Sequence, residues 1–224
     1  MTNILKKSIF PLISVLLILA GTFLLKEKHY TFISLLVAAS ACFGFAVYFD
    51  RKDITSRYAV LVAVMTALSV AGRFIFAPVP AFKPVTAVVI ISGMYLTAGG
   101  GFLTGALTAL ISNMYFGHGA WTPFQMIAWG MIGMAAGILS KQLQNKKIVL
   151  FIYGALAGVF YSFVMDIWTV LWYSDGFEVG LYKAALISAV PYTIMYAVSN
   201  VIFLSIIAKP FGRKLNRAVV LIER

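Results

Sequence analysis

Acidic residues, histidine and cysteine are all scarce: seven Asp and Glu, two histidines and one cysteine, Cys42, in 224 residues. One cysteine excludes an intramolecular disulfide, and His118 has no acid or thiol beside it, so a zinc cage or iron–sulfur cluster has no ligand set to draw on. Charged residues make up 11% against about 25% in a soluble domain, and apolar residues 62% against about 45–50%. A water-soluble fold is excluded. Common catalytic motifs are missing too: the chain has no HExxH, no GxSxG and no GxxxxGK[ST]. No cofactor is expected.

What is present is long apolar segments, separated by charge clusters and by Gly and Pro, near 8–25, 31–48, 57–76, 84–98, 100–116, 121–139, 147–173 and 184–208. These predict an all-α integral membrane protein of about eight transmembrane helices. Lys6 and Lys7 before Ile9–Leu25 superficially resemble a signal peptide, but the stretch is about as long as a bilayer span and a second apolar stretch follows at once. The fourth and fifth segments are short for a core of about 30 Å, and join through Gly99, Gly100 and Gly101. The run Asp50–Arg57 divides the chain into an N-terminal hairpin, residues 1–50, and a six-helix core with a basic tail, residues 51–224.

The formal charge of +11 sits at the ends of apolar runs, which marks topology rather than a nucleic-acid surface. With both termini cytoplasmic, the inner side holds Lys6, Lys7, Arg51, Lys52, Arg57, Lys141, Lys146, Lys147, Lys209, Arg213, Lys214, Arg217 and Arg224, or 13 of 18 basic residues. Lys26, Lys28, Arg73, Lys83 and Lys183 fall outside. The expected location is a bacterial cell membrane.

Small residues recur at intervals of four: Gly101, Gly105 and Ala109, then Gly133 and Gly137, then Gly154 and Gly158. Such ridges let helix backbones approach closely. Ala59, Ala63, Ala67 and Ala71 form a similar stripe, which suits packing inside the bundle or docking of another membrane subunit.

Polar and aromatic groups gather at the predicted outer ends. Arg73 lies roughly 24 Å along its helix from Arg57, and Asp166 roughly 28 Å along its own from Lys147. Ionisable groups at such depth face a polar cavity or each other, or snorkel to the interface. Between the third and fourth segments, Pro78, Pro80 and Pro84 rule out continued helix and suit a stiff cap or an ordinary loop. Asn113 ends the fifth segment, and Trp121, Gln125 and Trp129 follow on one helix face. Two indoles around an amide suit a planar polar solute, although an interfacial aromatic belt also explains Trp121. The next loop adds Trp168, Trp172, Tyr173, Asp175 and Glu178, and the last segment presents Tyr192, Tyr196 and Asn200 in register. The candidate substrate contacts are therefore Arg73, Asn113, Gln125, Trp129 and Asp166, with Lys83, Trp121 and Tyr192 beside them. His118 reads as a loop residue.

Across about residues 55–212 the chain resembles the substrate-binding S components of energy-coupling factor (ECF) transporters, a vitamin-uptake branch of the ATP-binding cassette systems. The carriers are Ala59/Ala63, similar to the family's AxxxA docking motif, and the runs GRFIFAPVPAFKP, SGMYLTAGGGFLTGALTALISN and GHGAWTPFQMIAWGMIGMAAG. The resemblance implies a six-helix bundle that binds a vitamin or related micronutrient near the outer surface, with residues 74–83 as lid. It implies docking through Ala59, Ala63 and Ala67 on a membrane coupling subunit that works with two ATPases, and no chemistry by this chain itself. A cobalamin-like or other heteroaromatic vitamin is the expected ligand. The N-terminal hairpin is additional to the family pattern. Two other readings stand beside this one: a self-sufficient secondary transporter, against which the lack of an internal repeat counts, and a membrane-embedded enzyme, against which the lack of convergent catalytic groups counts.

Overall fold

A computed structural model describes residues 56–119, 121–174 and 177–222, which form seven helices and no strand among them. They are α1 (Ser56–Ile75), α2 (Val85–Leu96), α3 (Ala98–Phe116), α4 (Trp121–Ile138), the one-turn α5 (Ser140–Asn145), α6 (Lys147–Tyr173) and α7 (Val179–Ile222). The six predicted core segments each correspond to one long helix. The predicted N-terminal hairpin with Cys42, and Asp175, lie outside the described residues.

Apolar side chains point both ways, as they do in a protein dissolved in lipid. Ile148, Ile152, Leu156 and Phe160 form an exposed stripe on α6, and Ile194, Val198, Ile202 and Ile206 another on α7. The helices at Tyr58–Ile75, Lys147–Tyr173 and Val179–Leu221 are each long and apolar enough to cross a bilayer. Polar side chains turn inward instead. Thr104, Thr108 and Ser112 are buried on α3, and each hydroxyl donates to the carbonyl four residues back, at 2.8, 2.6 and 2.5 Å, so no donor is stranded.

Two elements differ from expectation. The joint between α2 and α3 falls at Thr97, in a left-handed conformation (φ 143°), and the three glycines lie inside the first turn of α3. Thr97 caps that turn by accepting from Gly100 N, while Tyr58 on α1 donates to the Leu96 carbonyl (2.9 Å) and shares a hydrogen bond with Thr97 Oγ1 (2.7 Å). A neighbouring helix, not glycine flexibility, fixes this break. The last helix also extends past both ends of the predicted 184–208 and runs through Pro191 and Pro210. A proline forfeits one helix hydrogen bond and kinks the chain without having to end the helix.

The small-residue ridges set the packing. Helices α2, α3 and α4 meet at Gly93, Gly101 and Gly133, where a Cβ on Gly93 or Gly101 would overlap the Gly133 carbonyl oxygen and one on Gly133 the Gly101 carbonyl. At 12 residues, or roughly 18 Å, α2 is too short to span a bilayer core of about 30 Å alone, and nearly every residue in it is buried. Two further contacts position side chains used below. Gly105 lies against the backbone of Trp129, and Gly158 against that of Tyr196 and Ala197.

The chain direction gives the bundle two chemically different ends. One carries the described loop residues 76–84, 117–119, 174 and 177–178 with most of the exposed aromatics. The other carries α5, the start of α6 and the end of α7, with Lys141, Lys146, Lys147, Lys209, Arg213, Lys214 and Arg217.

Candidate functional site

At the aromatic end, a chain of polar contacts crosses four helices. Arg73, in the last turn of α1, donates through Nη1 to Ser112 Oγ and to Asn113 Oδ1 (2.8 Å). Its guanidinium also lies 4.8 Å from the Phe116 ring centre and 5.3 Å from that of Trp129, within cation–π range. Asn113, 1% exposed, passes the contact on: its Nδ2 donates to Thr122 Oγ1 (2.9 Å) and to Gln125 Oε1 (2.8 Å). Gln125 Nε2 then donates to Tyr161 Oη on α6 (3.1 Å). Arg73 is thus anchored by neutral oxygens and aromatic faces, with no carboxylate among its partners in the described residues.

Tyr161 is the corner of an aromatic box. Its ring stacks on Trp129 at 5.0 Å with the planes 12° apart, and meets Tyr196 edge-on at 5.2 Å. Both stacking partners owe their position to a glycine on the facing helix, Gly105 for Trp129 and Gly158 for Tyr196. The buried Trp129 Nε1–H has no acceptor among the described residues, an unfavourable state for a buried donor unless a ligand supplies one.

These groups enclose a cavity of about 140 Å³, lined by Arg73, Lys83, Gln125, Trp129, Tyr161 and Tyr196, with Ala81, Val85, Thr86 and Asn200 completing the wall. Loop 76–84 closes it on one side. Phe82 packs on Phe203 of α7 at 5.1 Å, Phe76 packs on both, and Ser199 Oγ accepts from Lys83 N (3.0 Å) and donates to Lys83 O (3.1 Å). Lys83 Nζ stands 6.0 Å from the Phe116 ring centre. Burial, and secondarily the Arg73 guanidinium, holds its ammonium below the usual lysine range.

Of the residues the sequence nominated, Arg73, Lys83, Gln125 and Trp129 line this cavity, and Asn113 lies behind it as the link between Arg73 and Gln125. Trp121 does not line it and rests against Trp168 at 6.4 Å. Tyr192 is 54% exposed and does not line it. Asp166 is buried on α6 with Oδ2 unpartnered, outside the lining and without a recorded ion pair to Arg73. Tyr161 was not nominated, and its only sequence signal is a tyrosine at the centre of an apolar helix. Tyr196 and Asn200 carried a stronger one, a polar pair four residues apart; Asn200 Nδ2 donates to the Gly154 carbonyl (2.9 Å). The described residues hold no cluster of three or more His, Cys, Asp or Glu that could bind a metal.

The alanine stripe lies on the opposite face of α1 from its buried residues. Val62, Met65, Ser69 and Val70 pack inward, while Ala63, Ala67 and Ala71 are exposed and Ala59 is half-buried. Among the described residues the stripe is therefore not a bundle-packing surface.

No curated protein and no solved structure gives a significant match to the chain. Residues 53–217, which include every residue of this site, match one protein family, and with that match the chain belongs to the ECF-type riboflavin transporter S components.

Proposed function

We propose that this chain captures riboflavin, or a closely related flavin, in the cavity at its aromatic end and delivers it to a shared ATP-driven module. Family membership makes the chain a multi-pass membrane protein and the substrate-binding subunit of an ECF transporter. The flavin reading rests on the family's description together with one local observation: a stacked Trp129–Tyr161 pair whose indole N–H lacks an acceptor, beside Arg73, Lys83 and Gln125. A flavin offers a flat tricyclic face for stacking and two ring carbonyls for those donors. The family match lends no support to the cobalamin-like ligand expected from sequence. A heteroaromatic vitamin remains the ligand class.

The orientation that fits this role has the aromatic end outside, the basic end in the cytoplasm and both termini inside, in a bacterial cell membrane. The exposed Ala63/Ala67 face of α1 then docks on the membrane coupling subunit, with two ATPase subunits supplying the energy. The chain itself catalyses nothing, so ligand recovered from it has an unchanged mass.

Flavin fluorescence tests the proposal directly, because stacking on an indole quenches it. Titrating the purified full chain into riboflavin should give saturable quenching. Emission that stays flat, together with no retention of riboflavin in equilibrium dialysis, would rule out this ligand.

A further inference from the structure

A second and larger cavity, of about 320 Å³, lies at the basic end, away from the flavin site. Its wall is mainly apolar, from Leu143 on α5, Leu150 and Phe151 on α6, and Leu204 and Ala208 on α7, with the end of α2 closing it at Met94 and Tyr95. The last arm of α7 folds against the same corner, since Gly212 lies so close to the Tyr95 ring that a Cβ would overlap it. Gln144 is in the lining, but its side-chain amide already donates to the Met94 carbonyl (2.6 Å). Ser205 is likewise occupied, donating to the Ile202 carbonyl (2.7 Å).

Two lysines complete the lining, Lys147 at the first position of α6 and Lys209 on α7. Neither forms an ion pair among the described residues. Lys141, Lys146, Arg213, Lys214 and Arg217 surround them, all exposed. The two carboxylates among the described residues lie far off: Asp166 is nineteen residues along α6 from Lys147, roughly 28 Å, and Glu178 precedes α7 at the aromatic end. Two ammonium groups at the edge of an apolar cavity, inside a field of positive charge that no carboxylate among the described residues offsets, call for an anion with an apolar body.

We propose that this cavity binds an anionic phospholipid from the leaflet at the basic end, with its phosphate between Lys147 and Lys209 and part of an acyl chain against Leu150, Phe151, Leu204 and Ala208. Basic pockets between transmembrane helices at the cytoplasmic side suit anionic headgroups on electrostatic grounds. The apolar wall argues for a lipid over free phosphate, which would leave that wall in water. The route in is short, because Ile148 and Ile152 on α6 and Ile206 on α7, next to the lining residues, are exposed on the apolar surface. A lipid seated there ties α2, α5, α6 and α7 together at the end opposite the vitamin. This inference is independent of the flavin reading.

Native mass spectrometry of the full chain, after exchange into micelles doped with phosphatidylglycerol or with phosphatidylcholine of the same chain length, tests it. The wild type should retain phosphatidylglycerol at least about tenfold over phosphatidylcholine, and the K147Q/K209Q variant should lose most of that preference. The control K183Q removes a lysine charge near the start of α7, at the opposite end of the bundle, and should keep it. Equal retention of the two lipids by the wild type would overturn the proposal without any variant. Undiminished preference in K147Q/K209Q would overturn it too, as would displacement of the lipid by inorganic phosphate alone, which would make the ligand a free anion.

Discussion

Asn113→Leu separates a binding contact from a positioning contact. The amide touches no cavity surface, yet it accepts from Arg73 at 2.8 Å and donates to Gln125 at 2.8 Å and to Thr122 at 2.9 Å. On soluble-protein values, two neutral bonds at about 1 kcal/mol each and one charge-assisted bond at about 1.5–3 kcal/mol sum to about 4 kcal/mol. Interhelical hydrogen bonds in bilayers average about 0.6 kcal/mol, which lowers the sum to about 2 kcal/mol. The lower figure applies better, because Arg73 keeps Ser112 and two aromatic faces. The variant should therefore fold, with a reduced melting temperature in detergent. Its riboflavin affinity should fall by about tenfold, or about 1.4 kcal/mol, because Arg73 and Gln125 are no longer held toward the cavity. If Asn113 acts through Arg73, the same change in an Arg73→Ala background should cost less than about threefold, a coupling that a double-mutant cycle reads directly. An Asn113→Leu protein with wild-type affinity, or one losing equally in both backgrounds, would refute the positioning role.

Trp129→Ala removes the stacking face and should weaken riboflavin binding by about tenfold or more with less fluorescence quenching at saturation, since aromatic pairs contribute about 0.5–1.5 kcal/mol beyond area burial. Gly133→Leu drives a side chain into the Gly101 carbonyl where three helices meet, so the protein should lose its monodisperse peak in size-exclusion chromatography. Overpacking costs about 1–3 kcal/mol where side chains can yield, and here the obstacle is backbone. Ala63→Phe should leave riboflavin affinity within about twofold while abolishing uptake by cells expressing the ATPase module, because the exposed stripe admits close approach only while its side chains are small. Normal uptake by that variant would place docking on another surface.

The core helices were legible in the sequence because each apolar run ends in charge, glycine or proline. What the sequence hid was the break at Thr97, where a threonine at positive φ is held by Tyr58 thirty-nine residues away. Local propensity pointed to the adjacent glycines, whose use is close packing. The extension of α7 beyond 208 was hidden for a related reason: Pro210 and the basic residues after it look like a stop, and only packing decides whether a helix continues through a proline. In the site, residues spaced four apart near a helix end, such as Gln125 and Trp129, could be nominated from periodicity. Tyr161 could not, because a lone tyrosine in an apolar helix becomes a site residue only through Gln125 and Trp129 on another helix. Asp166 shows the converse, since its rarity made it a candidate although it does not line the cavity.

The size of the cavity bears on how the ligand enters. About 140 Å³ is well below the roughly 300–1,000 Å³ of clefts that enclose ligands of flavin size, so capture requires a wall to move. Loop 76–84 is anchored on α7: Phe82 rests on Phe203, and the Lys83 backbone exchanges hydrogen bonds with Ser199. The polar chain from Arg73 through Asn113 and Gln125 to Tyr161 runs instead through α1, α3, α4 and α6. The loop can therefore release from α7 without breaking a bond of the recognition chain. That division keeps Arg73, Gln125 and the stacking face preorganised while the entrance opens and Lys83 moves with the loop, so the ordering cost of binding falls on one short loop. Pro78, Pro80 and Pro84 lower that cost further, because a loop already restricted at three φ angles has less freedom to lose when it closes over the ligand.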